Sequence, residues 1–151
     1  MPQSLARIIV HLVFSTKNRV PYLKDKELRE QLGAYMAGTM RNLGSQAIIV
    51  GCVEDHAHIL CLLSKNIALK DLVEEVKTSS SKWVKPKRAG LHDFYWQNGY
   101  GAFSIGQSEF EVVRRYIANQ EEHHRTRTFQ DELRELFKQH AVEFDERYVW
   151  D

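Results

Sequence analysis

Two histidines, His56 and His58, lie one residue apart in the apolar segment 54–60, which the pattern predicts to be a β-strand. Because strand side chains alternate between the two faces of a sheet, both imidazoles leave the same face. Imidazole is the commonest metal ligand among side chains, so the pair could supply half of a coordination sphere. The alternative is two half-buried histidines that form hydrogen bonds at a sheet edge.

A second group of candidate residues lies on a predicted late helix. Tyr116 and Gln120 are four residues apart, so they project from one helix face, and Arg114 and Arg115 flank it with positive charge. A tyrosine hydroxyl has a pKa of about 10 and needs a metal, a base or a polarised target to act as a nucleophile near neutral pH. A divalent metal held by two imidazoles and an amide could polarise a phosphate oxygen for that attack.

Each residue on this helix also has an ordinary structural interpretation. A tyrosine on an amphipathic helix more often packs against the core than acts as a nucleophile. Gln120 could be a solvated or capping amide. From residue types alone, His123 and His124 are better candidates than Gln120 for a third metal ligand.

A structural zinc site is a further possibility, because Cys52 and Cys61 lie near the histidine pair. Strand parity opposes it. Cys61 is an odd number of residues from both His56 and His58 and should face away from them. Two cysteines in apolar surroundings are typical of reduced, buried thiols in a cytoplasmic protein.

Basic residues are concentrated in two segments, although the formal net charge is only +1. One is the predicted loop 15–21, with Lys17 and Arg19. The other is the predicted helix end 77–88, which is either a solvated helix end or a surface for unpaired bases and phosphates. Its candidate contacts are Lys77, Lys82, Trp83 and Lys85.

The predicted elements that would position these residues are short and alternate in type. We expect strands at 8–14, 46–53 and 56–63 and within 94–105, the second and third forming an antiparallel hairpin. We expect helices that begin after Asp25, near Ser64 or Asn66, at Ser108 and at Thr128. This order predicts one α+β domain over residues 1–151, with a ferredoxin-like antiparallel sheet packed with helices. We expect no membrane span, because the sequence contains no run of about 18 apolar residues.

Several segments form an ordered set of motifs: residues 11–14 with Thr16 and Lys17, residues 55–58, residues 96–104, residues 116–120 with His123 and His124, and residues 148–150. This set resembles the single-tyrosine HUH transposases of small bacterial insertion sequences. The resemblance therefore spans nearly the whole chain. One departure is Ala57, since the middle position is often bulkier in that family.

The resemblance implies an HUH fold with the nucleophile on a late helix and a defined set of roles. Tyr116 would attack a backbone phosphate of single-stranded DNA, giving a 5′-phosphotyrosine link, and the reverse attack would rejoin the strand. His56, His58 and Gln120 would hold Mg²⁺ or Mn²⁺, and imidazole ligands favour manganese. Asp55, His123 and His124 would act around the ligands or contact DNA.

The resemblance also implies partners. It predicts a homodimer in which the tyrosine helix can serve the partner's histidine pair, and DNA with imperfect hairpins near the element ends. Two other classes stay open. One is a non-mobile host protein of the same fold that binds single-stranded DNA or hairpins without cleaving them, and the other is a metal-dependent hydrolase that uses water and tolerates Tyr116→Phe.

Overall fold

The centre of the molecule is a four-stranded antiparallel sheet with the order β2-β3-β1-β4. The computed structural model describes residues 2–151. The strands are β1 (Ile9–Ser15), β2 (Gln46–Cys52), β3 (His56–Leu62) and β4 (Gly101–Ser104). The predicted hairpin between the second and third strands is confirmed, whereas β4 is shorter than its predicted segment.

Five helices pack against this sheet. They are α1 (Lys26–Asn42), α2 (Leu69–Val84), α3 (Phe110–Ala118), α4 (Gln120–Thr126) and α5 (Phe129–Gln139). Asp25 caps α1 by accepting hydrogen bonds from the Glu27 and Leu28 N–H groups, and Gly44 follows the helix with a positive φ of 75°. Thr128 caps α5 by accepting from the Asp131 N–H.

The two faces of the sheet carry different residues, as the period of two requires. Ala57, Ile59 and Cys61 of β3 lie in the large apolar core together with buried side chains of α1 and α2. The opposite face carries His56, His58, Leu60 and Leu62, opposite Ser15, Val13, His11 and Ile9 of β1. Helices α3 and α5 cover this second face through two smaller apolar clusters.

Three predicted helix starts or continuations are wrong in detail. Helix α2 begins at Leu69 because Ser64 and Asn66 form a preceding turn, in which the Ser64 hydroxyl accepts from the Asn66 N–H. Ser108 caps no helix, since its hydroxyl bonds to the Glu109 carboxylate and residues 107–109 form a 3₁₀ turn. The single late helix is divided at Asn119, whose φ and ψ of −102° and 23° are not helical.

The α+β prediction is confirmed: an antiparallel sheet is packed with helices, and Tyr116 lies on the late helix α3. Among residues 2–151, no helix is both long and apolar enough to cross a bilayer.

Candidate active site

Strand β3 and strand β1 present three buried imidazoles on the face covered by α3 and α5. His56, His58 and His11 are at most 2% exposed. Val13 lies opposite His58 and Ser15 opposite His56, so the histidines occupy the end of the sheet nearest the β2–β3 turn. The sheet fixes their backbone positions, and burial fixes their rotamers.

Each histidine of the β3 pair has a hydrogen-bonding partner at its Nδ1 atom. Asp55 Oδ1 lies 2.7 Å from His56 Nδ1, and His11 Nε2 lies 2.8 Å from His58 Nδ1. The Nε2 atoms of both rings point toward one carboxylate, that of Glu132. Metal-binding histidines in proteins commonly have this arrangement, in which the second ring nitrogen is held by an outer partner.

Glu132 is the residue that joins the strand histidines to the late helix. It lies in the first turn of α5 and is 3% exposed. Its Oε1 atom is 2.6 Å from His58 Nε2 and 3.2 Å from His56 Nε2. Its Oε2 atom accepts a short hydrogen bond from the Tyr116 hydroxyl. One carboxylate therefore contacts both imidazoles and the phenol.

The charges of this cluster follow from burial and from these bonds. Burial alone would lower the pKa of His56, but Asp55 and Glu132 outweigh it and raise that pKa to about 9. Burial lowers the pKa of His58, although Glu132 opposes the shift. Burial would raise the pKa of Glu132, but its contacts with the two histidines hold it far below the ordinary value. Without a metal and near neutral pH, these shifts favour an ionised Glu132, a cationic His56 and a neutral His58.

The Tyr116 hydroxyl is held protonated in this arrangement. Burial raises its pKa, and the hydrogen bond and negative charge of Glu132 raise it further. The phenol ring lies edge-on to His58, with 5.9 Å between ring centroids, and stacks on His123 at 4.4 Å. Deprotonation of this tyrosine therefore requires added positive charge near Glu132.

Gln120 lies beside the cluster because α3 approaches the sheet closely. A Cβ atom on Gly51 of β2 would stand 2.6 Å from the Ile117 carbonyl oxygen and 3.4 Å from Gln120 Cγ. Only glycine permits this approach. Gln120 is buried, and its Oε1 atom has no hydrogen-bond partner among the described residues. A buried orphan amide oxygen is an available ligand for a hard cation.

The donor set fits a divalent metal. His56, His58 and Glu132 offer ligand atoms that all lie within 4.8 Å of one another, and all three residues are buried. Within residues 2–151, His56 Nε2 forms no hydrogen bond of acceptable geometry. Two imidazole nitrogens and a carboxylate oxygen are ligands that Mn²⁺ and related ions accept.

The sequence profile of the family described as IS200-like transposases matches residues 4–120. This match covers most of the chain, including both histidines of β3 and Tyr116. The chain belongs to this family. The family assignment made from the sequence motifs is thereby confirmed.

Two solved structures share the fold of this transposase. A proposed transposase from Deinococcus radiodurans R1 has a TM-score of 0.62 and 19% identity, covering 80% of this chain and 95% of that one. A REP-associated tyrosine transposase bound to a REP hairpin has a TM-score of 0.59 and 13% identity, covering 82% of this chain and 73% of that one. A comparison with curated proteins finds no significant match.

The structure of this transposase brings most of the predicted site residues together within one chain. Tyr116, Gln120, His56 and His58 all belong to or border the cluster around Glu132. Cys61 lies in the apolar core on the opposite face of the sheet, as parity predicts.

The residues predicted to surround the ligands fall into two groups. Asp55 bonds to His56 Nδ1, and His123 stacks on the Tyr116 ring. The His124 Nε2 atom lies 3.4 Å from Glu54 Oε1 and 3.7 Å from Asp55 Oδ1. His124 therefore stands on the outer side of the Asp55–His56 pair rather than next to Tyr116.

Several predicted DNA contacts have partners inside the chain. Lys77 Nζ donates to the carbonyls of Gln97 and Gly99 at 2.8 and 2.6 Å, and burial lowers its pKa to about 8. Trp83 stacks on Tyr35 with 5.1 Å between ring centroids. Three others have partners within the chain: Lys85 donates to the Phe94 carbonyl, and Arg114 and Arg115 pair with Glu111. Arg19 is half-exposed, and Lys17 and Lys82 are exposed.

Glu132 is the site residue that the sequence analysis missed. Acidic residues in the first turn of a helix ordinarily compensate the helix dipole, which is the role that the sequence suggests for Asp131 and Glu132. A signal was nevertheless present. Glu132 lies three residues after Phe129 and four before Leu136, within the apolar stripe of α5, where an unpaired carboxylate would be costly.

Proposed function

We propose that this transposase cleaves and rejoins single-stranded DNA, with Tyr116 as the nucleophile and a divalent metal held by the histidine pair. The observation that carries the proposal is the shared carboxylate. Glu132 accepts from the Tyr116 hydroxyl with one oxygen and from His58 with the other. A potential nucleophile, an acid and two potential metal ligands thus form one buried cluster.

The chemistry is a transesterification at a backbone phosphate. The Tyr116 oxygen forms a bond to phosphorus, the bond to the 3′ oxygen breaks, and the released 3′ oxygen takes up a proton. Glu132 accepts a hydrogen bond from the phenol and orients its oxygen, and the phenol releases its proton to water. Attack of a 3′ hydroxyl on the phosphotyrosine reverses these steps and needs no nucleotide cofactor.

His56, His58 and Glu132 would hold the metal, and the buried, unpartnered amide oxygen of Gln120 is a candidate for a further ligand. When bound, Mg²⁺ or Mn²⁺ would offset the charge of Glu132 that raises the pKa of Tyr116 and would polarise a phosphate oxygen. Asp55 would hold the ring of His56 with its Nε2 atom toward that ion.

The proposed substrate is single-stranded DNA near a hairpin. The REP-associated relative was solved with a REP hairpin, and surface lysines Lys17 and Lys82 are available to contact phosphates here. A homodimer remains a prediction from the resemblance. The contact between Tyr116 and His58 within one chain favours action in cis, because no second subunit is needed to bring them together.

The test is formation of a covalent adduct. Labelled single-stranded oligonucleotides from the flanks of the encoding gene are incubated with the protein and Mg²⁺ or Mn²⁺, and the products are separated under denaturing conditions. We expect a protein–DNA adduct from the wild type and none from Tyr116→Phe. The matched control is Tyr148→Phe, which removes the hydroxyl of a tyrosine that is 65% exposed.

Three outcomes separate the alternatives. An adduct that persists in Tyr116→Phe means that another residue is the nucleophile. Strand cleavage without an adduct, in both wild type and Tyr116→Phe, identifies a metal-dependent hydrolase. Hairpin binding without cleavage, in wild type under all metal conditions, identifies a non-catalytic DNA-binding protein. Equal cleavage of duplex DNA would contradict the single-strand specificity.

A further inference from the structure

His11 forms a contact with the site that the proposed mechanism does not use. It lies on β1, on the same sheet face as His58, and is 2% exposed. Its Nε2 atom is 2.8 Å from His58 Nδ1, and the two rings stack with 5.1 Å between centroids. Phe103 packs against its other side at 6.2 Å. The ring therefore has a fixed position and a single short bond to a proposed ligand.

The direction of this bond follows from the bond at the other end of His58. Glu132 is ionised and can only accept, and it lies 2.6 Å from His58 Nε2. A His58 ring with a single N–H must therefore carry it on Nε2. Its Nδ1 atom is then an acceptor, and His11 Nε2–H is the donor.

Metal binding requires the opposite direction. A cation on His58 Nε2 uses the lone pair of that nitrogen, so the ring must carry its hydrogen on Nδ1. That hydrogen points at His11 Nε2, which must then accept. A group at His58 Nδ1 that could only donate would therefore oppose metal binding. A group that could only accept would oppose the metal-free arrangement.

We propose that His11 is a positioning residue that sets the tautomer of His58, donating to it in the metal-free site and accepting from it when His58 binds a divalent cation. The inference rests on the metal role of His58 proposed above. Neither ring gains or loses a proton overall. When the metal binds, each ring loses the hydrogen on Nε2 and gains one on Nδ1 by exchange with water.

The contrast between the two partners supports this assignment. Asp55, at His56 Nδ1, is a carboxylate that only accepts and so favours one tautomer of that ring. A neutral histidine can act in either direction. Burial, together with the nearby His58, holds the pKa of His11 well below the ordinary value, which keeps the ring neutral. His140, which stacks on Phe103, is the next titratable group on this side.

The direct test is nitrogen-15 NMR of the imidazole rings in the wild-type chain, with EDTA and then with saturating Mg²⁺. We expect His11 and His58 each to carry the hydrogen on Nε2 without metal and on Nδ1 with metal. A His11 ring that keeps one tautomer while Mg²⁺ binds His58 would overturn the inference. Absence of any Mg²⁺ effect on His56 and His58 would instead refute the proposed metal site itself.

Two variants give a second measurement. His11→Phe keeps the ring volume but removes both hydrogen-bonding functions, and His11→Gln retains a donor and an acceptor. By calorimetry with Mn²⁺ alone, we expect His11→Phe to bind about tenfold to a hundredfold more weakly than wild type, as is typical when an outer partner is lost. His11→Gln should recover most of the affinity. Wild-type affinity in a folded His11→Phe, checked by circular dichroism, would contradict the proposal.

Discussion

The two faces of the central sheet use the same strand for opposite purposes. On the face toward α1 and α2, β3 contributes Ala57, Ile59 and Cys61 to an apolar core, all less than 1% exposed. On the other face the alternate residues His56 and His58 are equally buried but bind a carboxylate. Burial is the same on both faces, and only the chemistry of the buried atoms differs.

This difference separates stability from reactivity within one strand. A polar atom beside the apolar core, Trp96 Nε1, is neutral and paired, since it donates to Ser80 Oγ at 2.9 Å. The opposite face holds buried charges, whose desolvation cost is offset only by their mutual bonds. We therefore expect substitutions on the α1/α2 face to change the free energy of unfolding, and substitutions on the α3/α5 face to change metal binding and cleavage.

The largest expected effect is the loss of cleavage activity in the His58→Ala variant. Loss of this proposed metal ligand should reduce the cleavage rate by on the order of a thousandfold, because a bound metal contributes several kcal/mol to stabilising such transition states. Single-turnover cleavage with Mn²⁺ measures the effect. A wild-type cleavage rate in His58→Ala would contradict the functional difference that we infer between the two faces.

Ile59→Ala tests the opposite face at the next position of the same strand. It should lower the free energy of unfolding by about 2–5 kcal/mol, the usual cost of a cavity in a packed core. Urea denaturation gives this value. At urea concentrations where the variant is still folded, its Mn²⁺ affinity should equal that of the wild type. A large loss of affinity in the folded variant would show that the two faces are coupled.

The metal-free protein should lose stability as pH rises through the titration of His56. The folded pKa of about 9 lies above the unfolded value, so the contribution is complete below about pH 6.5 and is lost toward pH 9. The loss is roughly 3 kcal/mol by linkage. Facing this ring are Asp55, His58, Glu132 and His124.

The control for this pH dependence is Asp55→Asn, measured by urea denaturation in EDTA across the same range. It removes one of the two anions that raise the pKa of His56 and should flatten the decline. Lys77, whose pKa burial lowers to about 8, contributes with the opposite sign at higher pH in both proteins. An identical pH profile for the two proteins would contradict the assignment to His56.

Gly51→Ala tests how closely the tyrosine helix must approach the sheet. The added methyl group would meet the Ile117 carbonyl at 2.6 Å, so α3 must shift. We expect a loss of about 1–3 kcal/mol in unfolding free energy, as for overpacked cores, and slower cleavage. Gly38→Ala is the matched control, because a Cβ there meets only the far end of Arg41 at 3.9 Å. Equal effects of the two substitutions would argue against close approach as the cause.

The smallest expected effects come from the two helix caps. Asp25→Ala and Thr128→Ala each remove a side chain that accepts from first-turn N–H groups and should cost about 1 kcal/mol. Thr128 caps the helix that carries Glu132, so only Thr128→Ala should also weaken Mn²⁺ binding. Calorimetry on both variants compares them, and equal Mn²⁺ affinities would mean that α5 holds Glu132 without its cap.

Local patterns allowed most of the fold to be predicted. Asp25 and Gly44 mark the ends of α1, and the alternation in β3 correctly separated His58 from Cys61. The division of the late helix at Asn119 was missed, since nothing in the local sequence forbids a continuous helix there. Glu132 was missed because its partners lie 74 and 16 residues away, a distance that only the packing of α5 on the sheet removes.

Glu132 lies beyond the part of the chain that the family profile matches. That match ends at residue 120, whereas the acid that contacts Tyr116 lies on α5. A substitution in this helix can therefore change the charge beside Tyr116, and with it the pKa of the phenol, without touching any matched residue.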